Sequence, residues 1–263
     1  MYQTSLIVSN KKISQGFNLI SIQNKELASV SKAGQFYMLT PYKKEEKNSD
    51  LFLKRPISIF NIDTKNGVIE FFYKIEGRGS VSLSELKRND QIEILGPLGR
   101  GFRTDLQKEK ILMVGAGVGI APFYYLYKVL KPHNHIYLAF GGRNKETLAV
   151  TKYFKAKNHL NISSDDGSIG EKENVVELTR EVLEEHKKNP FTYLFVCGPT
   201  PVLKAAGQVA LDHGLECQLS LEKRMACGVR ACMACSIKTK NGIEKVCNGG
   251  PVFNVKNLIL EEL

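Results

Sequence analysis

The sequence predicts three units in series: a small antiparallel β-barrel over residues 1–102, an α/β domain on a parallel sheet over 103–215, and a short cysteine-bearing unit over 216–263. Three observations carry this. Short β-branched and aromatic runs separated by turn residues fill the first hundred positions. Continuous apolar runs then alternate with helical patterns, the signature of a parallel sheet covered on both faces. Last, four of the six cysteines, Cys227, Cys232, Cys235 and Cys247, fall close together near the C-terminus.

In the first unit, strands are expected over 6–8, 17–22, 35–39, 51–60, 68–75 and 91–95. Six strands at that spacing suit a closed barrel, which leaves no unpaired edge. One helix interrupts them near 81–87, with Leu83 and Leu86 three apart on one face, and 43–50 is a charged, apolar-poor loop. The pattern changes after Gly96-Pro97-Leu98-Gly99. Residues 111–114 (Ile-Leu-Met-Val), 136–140 and 193–196 read as buried strands. Residues 121–130, 146–154, 175–186 and 201–213 read as helices between them.

Composition narrows the class. At 43% hydrophobic and 24% charged residues, with no apolar run of membrane-spanning length, the chain is a globular protein rather than a disordered, collagenous or membrane-spanning one. The first ten residues lack the basic flank and apolar stretch of a secretory signal, so a cytoplasmic protein is expected. The net charge of +10 comes from scattered lysines, without the arginine-rich stripe of a nucleic-acid binder. A positive field also suits a cofactor that carries pyrophosphate.

The cysteines are the most specific feature. Cys227, Cys232 and Cys235 follow C-x4-C-x2-C, with Cys247 beyond, which is the plant-type [2Fe–2S] spacing. Ala226, Gly228, Ala231 and Ala234 leave room for backbone amides to approach the sulfurs. Structural zinc is the alternative, but zinc sites usually pair C-x2-C with C-x2-C, and one such pair exists here. Cys197 and Cys217 stand apart.

Gly115-Ala116-Gly117-Val118-Gly119-Ile120-Ala121-Pro122 closes an apolar strand and opens a helix, where glycines admit a phosphate to the helix N-terminus. It departs from G-x-G-x-x-G, and a turn serving only strand–helix packing would read the same. Cys197-Gly198-Pro199 ends a later strand, and two such turns at strand ends suggest one shared dinucleotide site. In the barrel, Arg55-Pro56-Ile57-Ser58 ends a hydrophobic strand. Its guanidinium can hold a pyrophosphate while Ser58 faces a flavin ring. Phe72-Tyr73-Lys74 can stack and charge-pair with a cofactor, and Gly77-Arg78-Gly79-Ser80 is either a phosphate cradle or a plain helix cap.

The order of these motifs resembles the ferredoxin reductase superfamily. More narrowly, Leu221-Glu222-Lys223-Arg224-Met225-Ala226-Cys227-Gly228 and Asp165-Asp166-Gly167-Ser168 resemble the electron-transfer subunits of NAD-dependent (class 1B) dihydroorotate dehydrogenases. The resemblance implies an FAD barrel, an NAD lobe and a [2Fe–2S] unit. It makes Arg55 to Ser58, Phe72 to Lys74, Gly79 and Ser80 FAD contacts. It places Gly115, Gly117, Gly119, Pro122, Cys197, Gly198 and Pro199 at the NAD site, with Ser58 and Cys197 as candidate neighbours of the reacting rings. It also implies an FMN-bearing catalytic partner, two chains of each, since no residues remain here for the roughly 250-residue TIM barrel that oxidises dihydroorotate. The same modules could instead serve a ferredoxin:NAD(P) or hydrogenase-type complex.

Overall fold

The computed structural model describes residues 2–45, 49–156 and 159–263. The first unit is a seven-stranded antiparallel sheet of β1 (Tyr2–Ser14), β2 (Phe17–Gln23), β3 (Phe36–Leu39), β4 (Arg55–Ser58), β5 (Asn61–Asp63), β6 (Val68–Lys74) and β7 (Gln91–Leu98), in the order β4-β3-β7-β1-β2-β6-β5. The two ends of that order are one piece of chain. β4 runs into β5 through buried Ile59 and Phe60, whose amides bond Gln35 O at 3.0 Å and Glu70 O at 2.8 Å. The barrel therefore closes through a bend in its backbone. Sequence reasoning expected one strand over 51–60; that stretch begins in a 3-10 turn (Ser49–Leu51), and the strand breaks at the bend. Ile7, Ile20, Ile22, Tyr37, Phe71, Ile92 and Ile94 fill the interior.

Two short helices interrupt the barrel where one was expected. α1 (Lys25–Val30) starts at Asn24, whose side chain accepts from Leu27 N, and six residues are too few to show a helical period in sequence. α2 (Arg78–Glu85) begins three residues earlier than expected, because Ser80 caps it: its hydroxyl accepts from Glu76 N at 2.8 Å and Gly77 N at 3.0 Å. Of the charged loop expected over 43–50, residues 46–48 lie outside the described residues.

The second sheet contains β8 (Lys110–Ala116), β9 (His135–Gly142), β10 (Leu160–Ser164), β11 (Tyr193–Cys197), β12 (Glu216–Ser220) and an antiparallel edge strand from near the C-terminus. Its helices are α3 (Phe123–Leu130), α4 (Val175–Glu185) and α5 (Thr200–Asp212). Every residue of β8 is buried, as its unbroken apolar run requires. β10 was not expected; its Leu-Asn-Ile-Ser-Ser sequence alternates too weakly to be read. The helix expected over 146–154 is a 3-10 turn, Ala149–Tyr153. No helix among the described residues is long and apolar enough to cross a membrane.

After β12 the chain leaves the sheet, forms the hairpin β13 (Ser236–Thr239) and β14 (Gly242–Lys245), and returns as β15 (Val252–Asn254) beside β12. The exit and return meet where Leu221 N bonds Pro251 O at 2.8 Å. Two strands of the second sheet thus come from residues 216–263. The barrel packs on this sheet through Phe60, stacked on Tyr124 with ring centroids 4.6 Å apart, and through Tyr125 N to Phe60 O at 3.0 Å.

Candidate functional site

A cleft of about 990 Å³ runs between the barrel, the second sheet and the segment leaving β12. The barrel contributes Arg55, Pro56, Ile57, Ser58, Phe72, Tyr73, Lys74, Gly79 and Ser80; the second sheet contributes Val118, Ala121, Pro122 and Cys197; residues 220–225 close the third side. Segments far apart in sequence, expected to hold one cofactor, thus meet in one cavity.

The cleft has a cationic corner. A Cβ on Gly79 would lie 2.1 Å from Arg55 Nε, so only glycine lets the guanidinium lie across the first turn of α2. Arg55 Nη1 is anchored on the Leu53 carbonyl, and Arg78 pairs with Asp50 at 3.0 Å on the rim. A guanidinium over a helix N-terminus is matched in charge and donors to a pyrophosphate, so these residues fit that part of a flavin dinucleotide. Beyond it, β4 supplies the backbone and Ser58 along which a planar ring can lie. Phe72 and Tyr73 border the cleft, but their rings are buried. Phe72 stacks on Phe17 at 5.5 Å, and Tyr73 donates to Asn10 at 3.1 Å, its phenol pushed up to about 12 by burial. They back the cofactor wall rather than stack across it. Lys74 reaches the surface and pairs with Glu76 at 2.7 Å.

On the sheet side the two glycine turns interlock at the carboxyl ends of neighbouring parallel strands, where Cys197 pairs with Gly115. A Cβ on Gly119 would sit 2.5 Å from Cys197 O, and one on Gly198 would sit 2.8 Å from Ala116 Cβ. Gly117 has φ +59°, a left-handed conformation that glycine adopts freely. Pro122 and Cys197 reach the cleft, while Gly115, Gly117, Gly119, Gly198 and Pro199 form the edge behind it. Cys197 is buried and its thiol pKa is raised by that burial, so it is a neutral neighbour and not a thiolate.

Glu222 was not singled out from sequence, being a glutamate in a charged run. It stands in the cleft wall, open to the cleft but ringed by protein. Loss of bulk water and the nearby Glu76 raise its carboxyl above the usual range.

The cysteines follow directly. Met225 lines the cleft and Cys227 is two residues on. The turn at Gly228, φ +68°, presses against Met38 of β3, which a Cβ would approach to 2.9 Å. Phe36, on the same face of β3 as Met38, lines the cleft, so one strand separates cleft from cysteine loop by two residues, about 7 Å. Cys227 Sγ accepts from Val229 N at 3.4 Å and Cys232 N at 3.3 Å, and these amides lower its pKa to about 7 despite some burial. Side-chain hydrogen bonds join Cys227 with Cys232 and Cys235 with Cys247, and Cys227 also acts on the Cys247 thiol, so the four lie together. Among the described residues no three His, Cys, Asp or Glu side chains surround one point closely enough to hold a single ion. A binuclear cluster asks for two thiolates per iron, and this paired donor set fits it. Cys217 is buried on β12, in the core cluster that also holds Cys235 and Cys247.

Residues 222–259 match the family model for the iron–sulfur cluster binding domain of dihydroorotate dehydrogenase B, and 113–208 match the oxidoreductase NAD-binding domain. The chain is similar to dihydroorotate dehydrogenase B (NAD(+)), electron transfer subunit, from Clostridium acetobutylicum, at 35% identity covering 99% of this chain and 98% of that one. It is similar to the subunit of that name from Enterococcus faecalis at 34% identity and 97% coverage of each. Among solved structures, an NADH-dependent reduced ferredoxin-NADP oxidoreductase studied for flavin-based electron bifurcation superposes with a TM-score of 0.83, at 25% identity over 98% of this chain and 91% of that one. A ferredoxin NADP+ reductase from Neisseria gonorrhoeae with bound FAD and NADP superposes at 0.67, with 19% identity over 81% and 92%.

Proposed function

The chain belongs to the family of electron-transfer subunits of dihydroorotate dehydrogenase B, and we propose that it works as that family's relay, passing electrons from an FMN-bearing catalytic partner through [2Fe–2S] and FAD to NAD+ in pyrimidine (UMP) biosynthesis. The observation that carries this is the continuity of the cleft wall with the cysteine loop: residues 220–225 line the flavin cleft and Cys227 follows at once. When bound, the cluster supplies single-electron transfer and FAD joins it to the two-electron hydride chemistry of nicotinamide.

The chain's own residues divide the work. Cys227, Cys232, Cys235 and Cys247 would hold the cluster. Arg55, with Gly79 and Ser80, grips the FAD pyrophosphate, and Pro56, Ile57 and Ser58 set the ring plane against the wall that Phe72 and Tyr73 support and Lys74 edges. Gly115, Gly117, Gly119, Gly198 and Pro199 admit the dinucleotide along the strand ends, and Pro122 and Cys197 border its nicotinamide end. The division into barrel (1–102), NAD lobe (103–215) and cluster unit (216–263) follows these roles.

The partner docks on the cysteine loop, where Val229 and Met233 are 51% and 57% exposed and Arg224 and Arg230 stand at the surface. We place the assembly in the cytoplasm as two copies of this chain with two catalytic chains. The structural likeness to the ferredoxin-NADP oxidoreductase favours a second reading, the same modules serving a ferredoxin:NAD(P) or hydrogenase-type complex. Purified alone, the chain is expected to pass electrons from NADH to artificial acceptors and to leave dihydroorotate untouched. Adding an FMN-bearing dihydroorotate dehydrogenase chain should restore NAD+-linked oxidation, and size-exclusion chromatography with light scattering should give two of each. Dihydroorotate oxidation by the single chain would overturn the relay, and reduction of NAD+ by ferredoxin alone would favour the second reading.

A further inference from the structure

Lys245 ties together the segments that carry the four cysteines. It is the last residue of β14 and pairs across the hairpin with Ser236, next to Cys235. Its carbonyl accepts from Asn248 N and Gly249 N, both at 2.9 Å, and so closes the turn that carries Cys247. Its side chain crosses to the loop between Cys227 and Cys232, where Nζ donates to the Arg230 carbonyl at 2.7 Å.

Arg230 has φ +69°, a left-handed conformation that disfavours any residue with a Cβ unless its surroundings hold it. In that conformation its carbonyl accepts from Lys245 Nζ. On either side of Arg230, the Val229 and Cys232 amides donate to Cys227 Sγ at 3.4 Å and 3.3 Å.

We propose that Lys245 is a positioning residue that sets the reduction potential of the cluster: by holding the Arg230 carbonyl it fixes the loop whose Val229 and Cys232 amides donate to Cys227 Sγ, and it adds its own ammonium charge nearby. Taking up one electron without a proton makes a four-thiolate [2Fe–2S] cluster more negative by one charge. Amide dipoles aimed at sulfur and a close cation stabilise that form and raise the potential. The inference rests on the four cysteines being the ligands.

The test uses the full chain purified without oxygen, with iron measured and the cluster titrated by dithionite against redox mediators while the EPR signal of its reduced form is read. Lys245→Met is expected to keep its iron, and at a fixed ambient potential to show a reduced-to-oxidised ratio about tenfold lower, which is 59 mV for a one-electron couple. Lys245→Gln, which keeps a donor without the charge, should fall between, and Lys245→Arg should match the wild type. An unchanged potential in Lys245→Met at full iron content overturns the inference. Loss of iron from both neutral variants also overturns it, because Lys245 would then serve assembly alone. A wild-type chain that holds no iron overturns the cluster reading itself, and this inference with it.

Discussion

The dinucleotide edge and the cysteine loop are organised in opposite ways. The edge is built from regular elements: Gly119 and Gly198 pack backbone on backbone, β8 is wholly buried, and the strand pairing leaves little freedom. The cysteine loop has no regular structure over residues 226–235, carries exposed Val229 and Met233, and includes a non-glycine residue at positive φ. The first is held by packed backbone, whereas the second is held by single hydrogen bonds such as Lys245 Nζ to the Arg230 carbonyl, and bonds to a metal would add to its order.

The largest expected effect separates the two outright. Cys247→Ser should abolish the visible iron–sulfur absorbance and raise amide hydrogen exchange across 226–249, with protection in β8, β11 and α5 unchanged. Full iron retention would remove Cys247 from the ligand set, and loss of protection in β8 would show that the two regions are not independent.

A smaller effect is expected on the rigid side. Gly119→Val puts its Cβ 2.5 Å from Cys197 O, a backbone atom that cannot move aside, and should cost about 1–3 kcal/mol of stability by denaturant titration. NADH affinity should fall with it while the iron content stays full. A Gly119→Val protein of unchanged stability would mean that the edge yields as the loop does.

The smallest concerns the wall the two regions share. Glu222 has a raised carboxyl pKa, so the folded state favours its protonated form and its ionisation destabilises the fold once the pH passes the ordinary carboxylate range. Glu222→Gln should therefore raise Tm at pH 7.5, by under about 2 °C because water in the open cleft screens the charge. The gain should vanish near pH 4, where the wild type is protonated in both states. A gain that persists at pH 4 would assign the effect to packing instead.

What was legible in the sequence follows the same contrast. The β8 run and the C-x4-C-x2-C spacing were readable because each is written in consecutive residues. The closed barrel was readable from its strand count, but the bend at Ile59 and Phe60 that closes it was not, because it lies inside what reads as one strand. β10 and α1 were too short or too weakly patterned to register. At the site, Arg55 and Gly79 were each visible, but that one lies on the other is a tertiary fact, and so is the burial of the Phe72 and Tyr73 rings. Glu222 and Lys245 carry no local signal at all. Each draws its role from what the fold sets beside it.

The hydrogen bond from Leu221 N to Pro251 O makes residues 221–251 a detour whose two ends coincide. The detour is not separable from the sheet it leaves, because Cys235, Ile237, Val246 and Cys247 are buried in the core that also holds Leu219 of β12 and Phe253 of β15. One stretch of chain therefore serves two neighbours at once, walling the cleft with residues 221–225 and sealing the core beneath β12 and β15 with residues 235–247.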